Sequence, residues 1–243
     1  MSWIYLIRHG QAGTRDEYDS LSDMGAVQAR MLGEYLASER IHFSAVYSGG
    51  LKRQRDTARE VSRTFKRAGL PFPDYAINPR WNEFDLDAVY RGMAPRLCAD
   101  DPEFRAEYQS LQAELERGRG KPEAAIHRGW TKCDIAVVRA WVEARYPFEG
   151  ESWAEFQARV GLRKTDFASD NGHEQRIAIF TSATPTAVCV GRALGIDGRH
   201  TLRLAGALLN TSFSVLRLVN GEFNLFSFNN VPHLTDTYLR TFR

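Results

Sequence analysis

Residues 3–7 form an unbroken apolar run that stops at Arg8-His9-Gly10. A run apolar on both faces suits a parallel strand covered on both sides, so chemistry begins where that strand ends. Ser22 is followed by Ala26, Ala29, Leu32, Gly33 and Leu36, a helical spacing that predicts a first helix capped by Ser22 and about four turns long. Residues 45–48 read as a second short strand. After Gly49-Gly50, Leu51, Ala58, Val61 and Phe65 share one face of a second helix over residues 51–68. Residues 177–180 are again strand-like, and Thr184-Pro185 reads as an N-cap followed by proline at the first position of a helix reaching about Leu194. Residues 212–219 and 223–228 flank Asn220-Gly221-Glu222 and predict a hairpin with a short Asn-Gly turn. Between the halves, residues 79–150 carry polar helical stretches broken by Pro95, Pro102, Gly118-Arg119-Gly120, Pro122 and Pro147, the pattern of an inserted cap over the site. No internal repeat or low-complexity tract interrupts the chain.

Strands alternating with helices predict an α/β fold, a three-layer sandwich around a mostly parallel sheet. At 243 residues, one domain is expected, with its core over about 1–78 and 151–243 and a helical cap over about 79–150. Apolar residues at 43% and charged residues at 26% are ordinary for a chain that buries a sizeable core. The net charge of +2 arises from 32 basic and 30 acidic side chains mixed along the chain; no polyanion-binding surface, and hence no nucleic-acid partner, is expected. Cys98, Cys133 and Cys189 are far apart and form no Cys-x-x-Cys pair, which argues for a reducing, cytoplasmic compartment and against a cysteine metal site. The first residues lack a basic region, a long apolar stretch and a cleavage site. No run reaches the roughly 20 apolar residues of a membrane span, so no membrane partner is expected.

Arg8-His9-Gly10 lies where open α/β sheets bind their ligands, just past the carboxyl end of a strand. Its context sharpens its meaning. Arg8-His9-Gly10-Gln11, then Leu21-Ser22-x-x-Gly25-x-x-Gln28-Ala29, then Ser48-x-x-Leu51-x-Arg53-x-x-x-Thr57-Ala58 occur in order, followed by Gly150-Glu151-Ser152 with Phe156 and Arg159-Val160, and by Asn229 and His233-Leu234. Over nearly its whole length the chain resembles the histidine phosphatase superfamily, also called the phosphoglycerate-mutase-like family.

The resemblance implies phosphoryl transfer through phospho-His9 without a metal or other cofactor. A neutral imidazole is a competent nucleophile when one nitrogen is free and the other donates its proton to an orienting acceptor. Arg8 and Arg53 match the family's phosphate arginines, whose planar forks complement a phosphoryl group. Glu83, in Trp81-Asn82-Glu83-Phe84, matches the acid that protonates the leaving oxygen, with Asp85 the fallback. Where the family carries Ser-His-Gly, this chain has Thr181-Ser182-Ala183-Thr184, so Ser182 replaces the second histidine. Removing one preorganised donor costs roughly 10²–10³ in rate. Thr184, at a helix start, is expected to offer N–H groups to an anion beside Ser182.

The remaining histidines, His42, His127, His173, His200 and His233, are expected at the surface. The expected function is hydrolysis of a small phosphorylated compound, with that substrate or inorganic phosphate as ligand. Two alternatives stay open: a phosphoglycerate-mutase-type isomerase, and a phospho-ligand binding domain impaired by Ser182. The resemblance runs to a shorter bacterial branch, and the oligomeric state is left open.

Overall fold

The apolar N-terminal run forms β1 (Ser2–Arg8) in a computed structural model that describes residues 2–121, 124–127, 129–167 and 174–242. Among the described residues it is followed by α1 (Asp23–Ser38), β2 (Ala45–Ser48), α2 (Lys52–Arg67), β3 (Ala76–Ile77), α3 (Leu86–Asp100), α4 (Pro102–Gly118), α5 (Lys132–Val142) and α6 (Trp153–Val160). β4 (Gln175–Thr181), α7 (Ala183–Leu194), α8 (Gly198–Ala207), β5 (Phe213–Val219) and β6 (Glu222–Asn230) complete the chain. The chain divides into two compact units: Met1–Gly13, Glu17–Glu83 and Arg159–Arg243 make the first, and Thr14–Asp16 with Phe84–Ala158 the second. The division falls a few residues later than the sequence pattern places it, so Pro79–Trp81 and Glu83 stay with the sheet.

In the first unit the strands order β3-β2-β4-β1-β5-β6. The first four run parallel, while β5 and β6 join antiparallel. Both faces of β1 are buried, as its unbroken apolar run requires. Ile7 packs with Leu32, Leu36, Val61, Phe65 and Phe180 from α1, α2 and β4. Ile4 and Leu6 pack with Ile177, Ile179, Val190 and Leu216 on the opposite face. Each such side chain contributes about 1.5–3 kcal/mol of burial. Register then positions the site: Arg8 pairs with Thr181 and Ser48 with Phe180, so β2, β4 and β1 end side by side and at the same level.

Local chemistry sets the boundaries. The Ser22 side chain accepts from Gly25 N–H and caps α1. Asn220 and Gly221, at φ 53° and 81°, make the tight turn that the twist of a hairpin favours. Three expectations need correcting. The cap of α7 is Ser182, and helix begins at Ala183; Pro185 fits one turn in because N–H groups there need no intrahelical partner. α3 runs through Pro95, giving up a single hydrogen bond rather than breaking. His233, expected at the surface, is 6% exposed, whereas His200, in α8, is exposed as expected.

The second unit holds an aromatic cluster of Phe84, Trp141, Trp153 and Phe156, packed largely edge to face with ring centroids 4.8 to 5.9 Å apart. Asp134, buried in the same unit, accepts from Arg15 Nη2 at 2.5 Å, Tyr90 Oη at 2.6 Å and Thr131 N at 2.6 Å. Among the described residues no helix is long and apolar enough to cross a membrane.

Candidate active site

His9 is the first residue past β1, and its backbone is held from three sides. Its N–H donates to Thr181 O at 2.9 Å, and its carbonyl accepts from Thr211 N and Asn210 Nδ2, each at 3.2 Å. The imidazole is 2% exposed, with Nδ1 2.7 Å from Gly10 O. A carbonyl only accepts, so Nδ1 carries the proton and Nε2 presents its lone pair. Arg53 Nε donates to that lone pair at 3.2 Å. Burial, reinforced by the Arg53 and Arg8 cations, pushes the pKa well below the usual histidine value, and the Gly10 contact offsets this only in part. His9 is a neutral imidazole of fixed tautomer.

Gly10 has a steric reason to follow His9. A Cβ there would lie 2.4 Å from Gly25 O, and a Cβ on Gly25 would lie 2.2 Å from Gln11 O. The segment after β1 thus crosses the start of α1 backbone to backbone.

The two arginines differ in their partners. Arg8 is 4% exposed; its guanidinium donates through Nη1 to Leu208 O and through Nη2 to Phe242 O at 2.6 Å, while Nε has no hydrogen-bond partner among the described residues. Burial lowers its pKa against the opposing pull of Tyr18 and Glu83, yet a guanidinium stays charged. Arg53, in the first turn of α2, reaches His9 through Nε and Asp19 Oδ1 through Nη1 at 3.1 Å, with its Cζ 4.7 Å from the centre of the Tyr18 ring.

Ser182 and Thr184 sit at the start of α7, and both already have partners: the Ser182 hydroxyl accepts, and the Thr184 N–H donates. Gln54 Nε2 donates to Ser182 Oγ at 2.8 Å and to Trp81 O at 3.1 Å, so a neutral amide fills the space beside Ser182. Thr184 N–H donates to Glu83 Oε2 at 3.2 Å, placing the Glu83 carboxylate where an anion at the helix start was expected. Asp85 instead caps α3, accepting from Ala88 N at 2.9 Å. His9 and Arg53 therefore touch directly; Glu83 reaches Thr184 and acts electrostatically on Arg8; Ser182 joins the cluster through Gln54, the neighbour of Arg53.

Several residues of this network carry no short motif of their own. Gln54 is 128 positions from Ser182, and only folding reveals the pair. Asn210 and Thr211 hold His9, and Thr211 Oγ1, which donates to Asn210 O at 2.7 Å, lies 2.9 Å from His233 Nε2. Asn229 clamps the same loop, accepting from Leu209 N and donating to Ala207 O, each at 2.8 Å. Asn229 and His233 belong to a recognisable C-terminal pattern, which is the one signal that pointed towards them. His173 lies outside the described residues. Among the described residues, no group of three or more His, Cys, Asp or Glu side chains is arranged to hold a metal ion.

A family model for the histidine phosphatase superfamily (branch 1) matches residues 4–133 and 119–231. The chain belongs to the histidine phosphatase superfamily. A broad-specificity phosphatase of Saccharomyces cerevisiae is 38% identical over 77 residues, 28% of this chain and 33% of the yeast protein. The mitochondrial serine/threonine-protein phosphatase Pgam5 of Caenorhabditis elegans is 28% identical over 120 residues, 41% of this chain and 42% of that protein. The chain thus spans well under two thirds of the length of either relative. Among solved structures, a putative α-ribazole-5′-P phosphatase from Escherichia coli aligns with a TM-score of 0.60 at 21% identity, covering 94% of this chain and 96% of that one. A phosphoserine phosphatase mutant from Entamoeba histolytica, in complex with phosphoserine, aligns at 0.54 and 17%, covering 96% and 100%. At such identities these likenesses establish the superfamily's α/β fold around a mostly parallel sheet.

Proposed function

We propose that the protein is a phosphomonoesterase that passes through phospho-His9 and acts on a small phosphorylated compound. The observation that carries this is the state of His9: buried, neutral, with Nδ1–H committed to Gly10 O and Nε2 turned towards a guanidinium. In the proposed first step Nε2 attacks phosphorus, a P–N bond forms and the ester P–O bond breaks. The protonated Glu83 carboxyl gives its proton to the leaving oxygen. Water then attacks phosphorus, Glu83 takes back a proton, and the P–N bond breaks to return neutral His9 and inorganic phosphate. Arg8 and Arg53 supply positive charge to offset the negative charge that spreads over the phosphoryl oxygens, and no metal ion takes part in these steps. Free Cys98, Cys133 and Cys189 support a reducing, cytoplasmic location.

One observation favours a second reading, a phospho-ligand binding domain with impaired catalysis. Beside Ser182 the cluster presents the neutral Gln54 amide where the family resemblance expects a charged imidazole. The two readings separate on one experiment: hydrolysis of an aryl phosphate by wild type and His9→Ala, with inorganic phosphate binding measured in parallel. Turnover by wild type that disappears in a folded His9→Ala protein is the expected result. Phosphate binding without turnover selects the binding domain, and equal turnover by both proteins removes His9 as nucleophile.

A further inference from the structure

We infer that Asp19 is a latch on the phosphoryl-binding site: its carboxylate occupies the donors on Arg53 and at the start of α2 that a substrate's phosphoryl oxygens would take, so anion binding proceeds by displacing it. The inference rests on the phosphoryl-transfer reading and deepens it by naming the residue that sets affinity.

The geometry is that of a bound oxyanion. Asp19 Oδ1 accepts from Arg53 Nη1 at 3.1 Å and from Arg53 N at 3.3 Å, and Oδ2 accepts from Lys52 N at 3.0 Å. A guanidinium N–H together with the free N–H groups of a helix start is the donor set that phosphates use. α2 has no acidic residue in its own first turn, so the negative charge at its positive end comes from Asp19, on a segment that is distant in sequence. Arg53 is 5% exposed whereas Asp19 is 50% exposed, which makes the carboxylate the partner free to leave.

The second arm of Arg53 gives the contact its consequence. While Nη1 is tied to Asp19, Nε donates to His9 Nε2, the lone pair that has to attack phosphorus. A phosphoryl group can reach Nε2 only when Arg53 gives up that bond and turns its N–H groups to the phosphoryl oxygens. Asp19 anchors the guanidinium against this rotation. A dianionic phosphoryl group offers more charge and more acceptor oxygens than one carboxylate, so it displaces Asp19 and loses part of its binding energy in doing so. Apparent affinity is then reduced by the fraction of molecules whose latch is open. A half-exposed ion pair is a modest competitor, and the expected penalty is about three- to tenfold.

The opposite role, Asp19 holding Arg53 in the orientation that grips phosphate, predicts the reverse sign. The full-length protein carrying Asp19→Asn or Asp19→Ser separates the two, because both side chains keep an acceptor oxygen for the α2 N–H groups while removing the carboxylate. The dissociation constant of inorganic phosphate, measured by titration calorimetry, is expected to fall about three- to tenfold in both variants. The kcat/KM for an aryl phosphate is expected to rise by a similar factor. Unchanged or weakened phosphate binding in either folded variant overturns the latch. If neither wild type nor variant binds phosphate, the latch is overturned as well, since removing it uncovers no site. A wild type that binds phosphate without turnover defeats the phosphatase reading alone, and the latch is still decided by the phosphate affinities.

Discussion

At Ser182, where the family resemblance leads one to expect a histidine, a neighbour fills the space. The side chain is fully buried, and the Gln54 amide lies 2.8 Å from its hydroxyl, so an imidazole placed there alone meets Gln54. Ser182→His is expected to lose about 1–3 kcal/mol of stability through overpacking. Gln54→Ala/Ser182→His makes room for a charged donor, and its initial rate on an aryl phosphate near pH 6 is expected to rise up to about 10²-fold over wild type. A folded double variant with no rate gain would falsify the placement of Ser182 beside the reacting phosphoryl group. His233 offers an independent test at the same scale. Its Nδ1 is buried without a partner among the described residues, and burial lowers its pKa from 6.5 to about 4. Between those limits the unfolded chain binds the extra proton, so stability rises with pH from about 4 to 6.5 and levels off above, a range of about 3 kcal/mol. His233→Gln keeps a donor for Thr211 and removes the titration. Urea melts from pH 4 to 8 are expected to show a shallower pH dependence than wild type, and an identical slope would discard the assignment.

At the scale of elements, periodicity located most of the sheet-forming unit because its strands and helices bury one clear face or both. β1, β2, α1 and α2 carry that signature, and the short motifs bearing Arg8, His9 and Arg53 sit at their ends. α8 was not legible, since Thr201 is its only buried residue and it has no apolar stripe to read. β3 is two exposed residues defined by pairing alone. The start of α7 is displaced because Thr184-Pro185 imitates a cap, whereas the N-cap position is Ser182, whose side chain makes no capping hydrogen bond. Within the candidate site, Gln54, Asp19 and the Asn210-Thr211 loop were not legible, because their partners lie tens to hundreds of positions away. The Gly10–Gly25 crossing yields a test of how tightly these elements are joined. Gly25→Ala drives a methyl group into the backbone of Gln11 and is expected to cost about 1–3 kcal/mol, read as a lower urea midpoint. An unchanged midpoint would show that the crossing relaxes freely.

For the whole molecule, the first unit contains both cores described on the faces of the sheet. The two ends of the first unit that flank residues 84–158 also lie together, because Arg159 Nη1 donates to Arg80 O at 2.8 Å and to Asn82 O at 3.1 Å. Replacing residues 84–158 by a short Gly-Ser linker is therefore expected to leave a protein that melts cooperatively and still binds inorganic phosphate. Circular dichroism melts and titration calorimetry would check this, and a molten product would place part of the first unit's stability in the excised segment. The pairing of β1 has a consequence for how the chain matures. β1 comes first in the sequence but pairs with β4 and β5, and Arg8 completes its guanidinium bonds on carbonyls 200 and 234 positions away. During synthesis β1 must wait, unpaired and apolar, until β4 (Gln175–Thr181) has been made. Closing such long loops makes folding slow and exposes an aggregation-prone edge on the way, so a nascent chain of this design has reason to depend on chaperones until β4 and β5 emerge to cover β1.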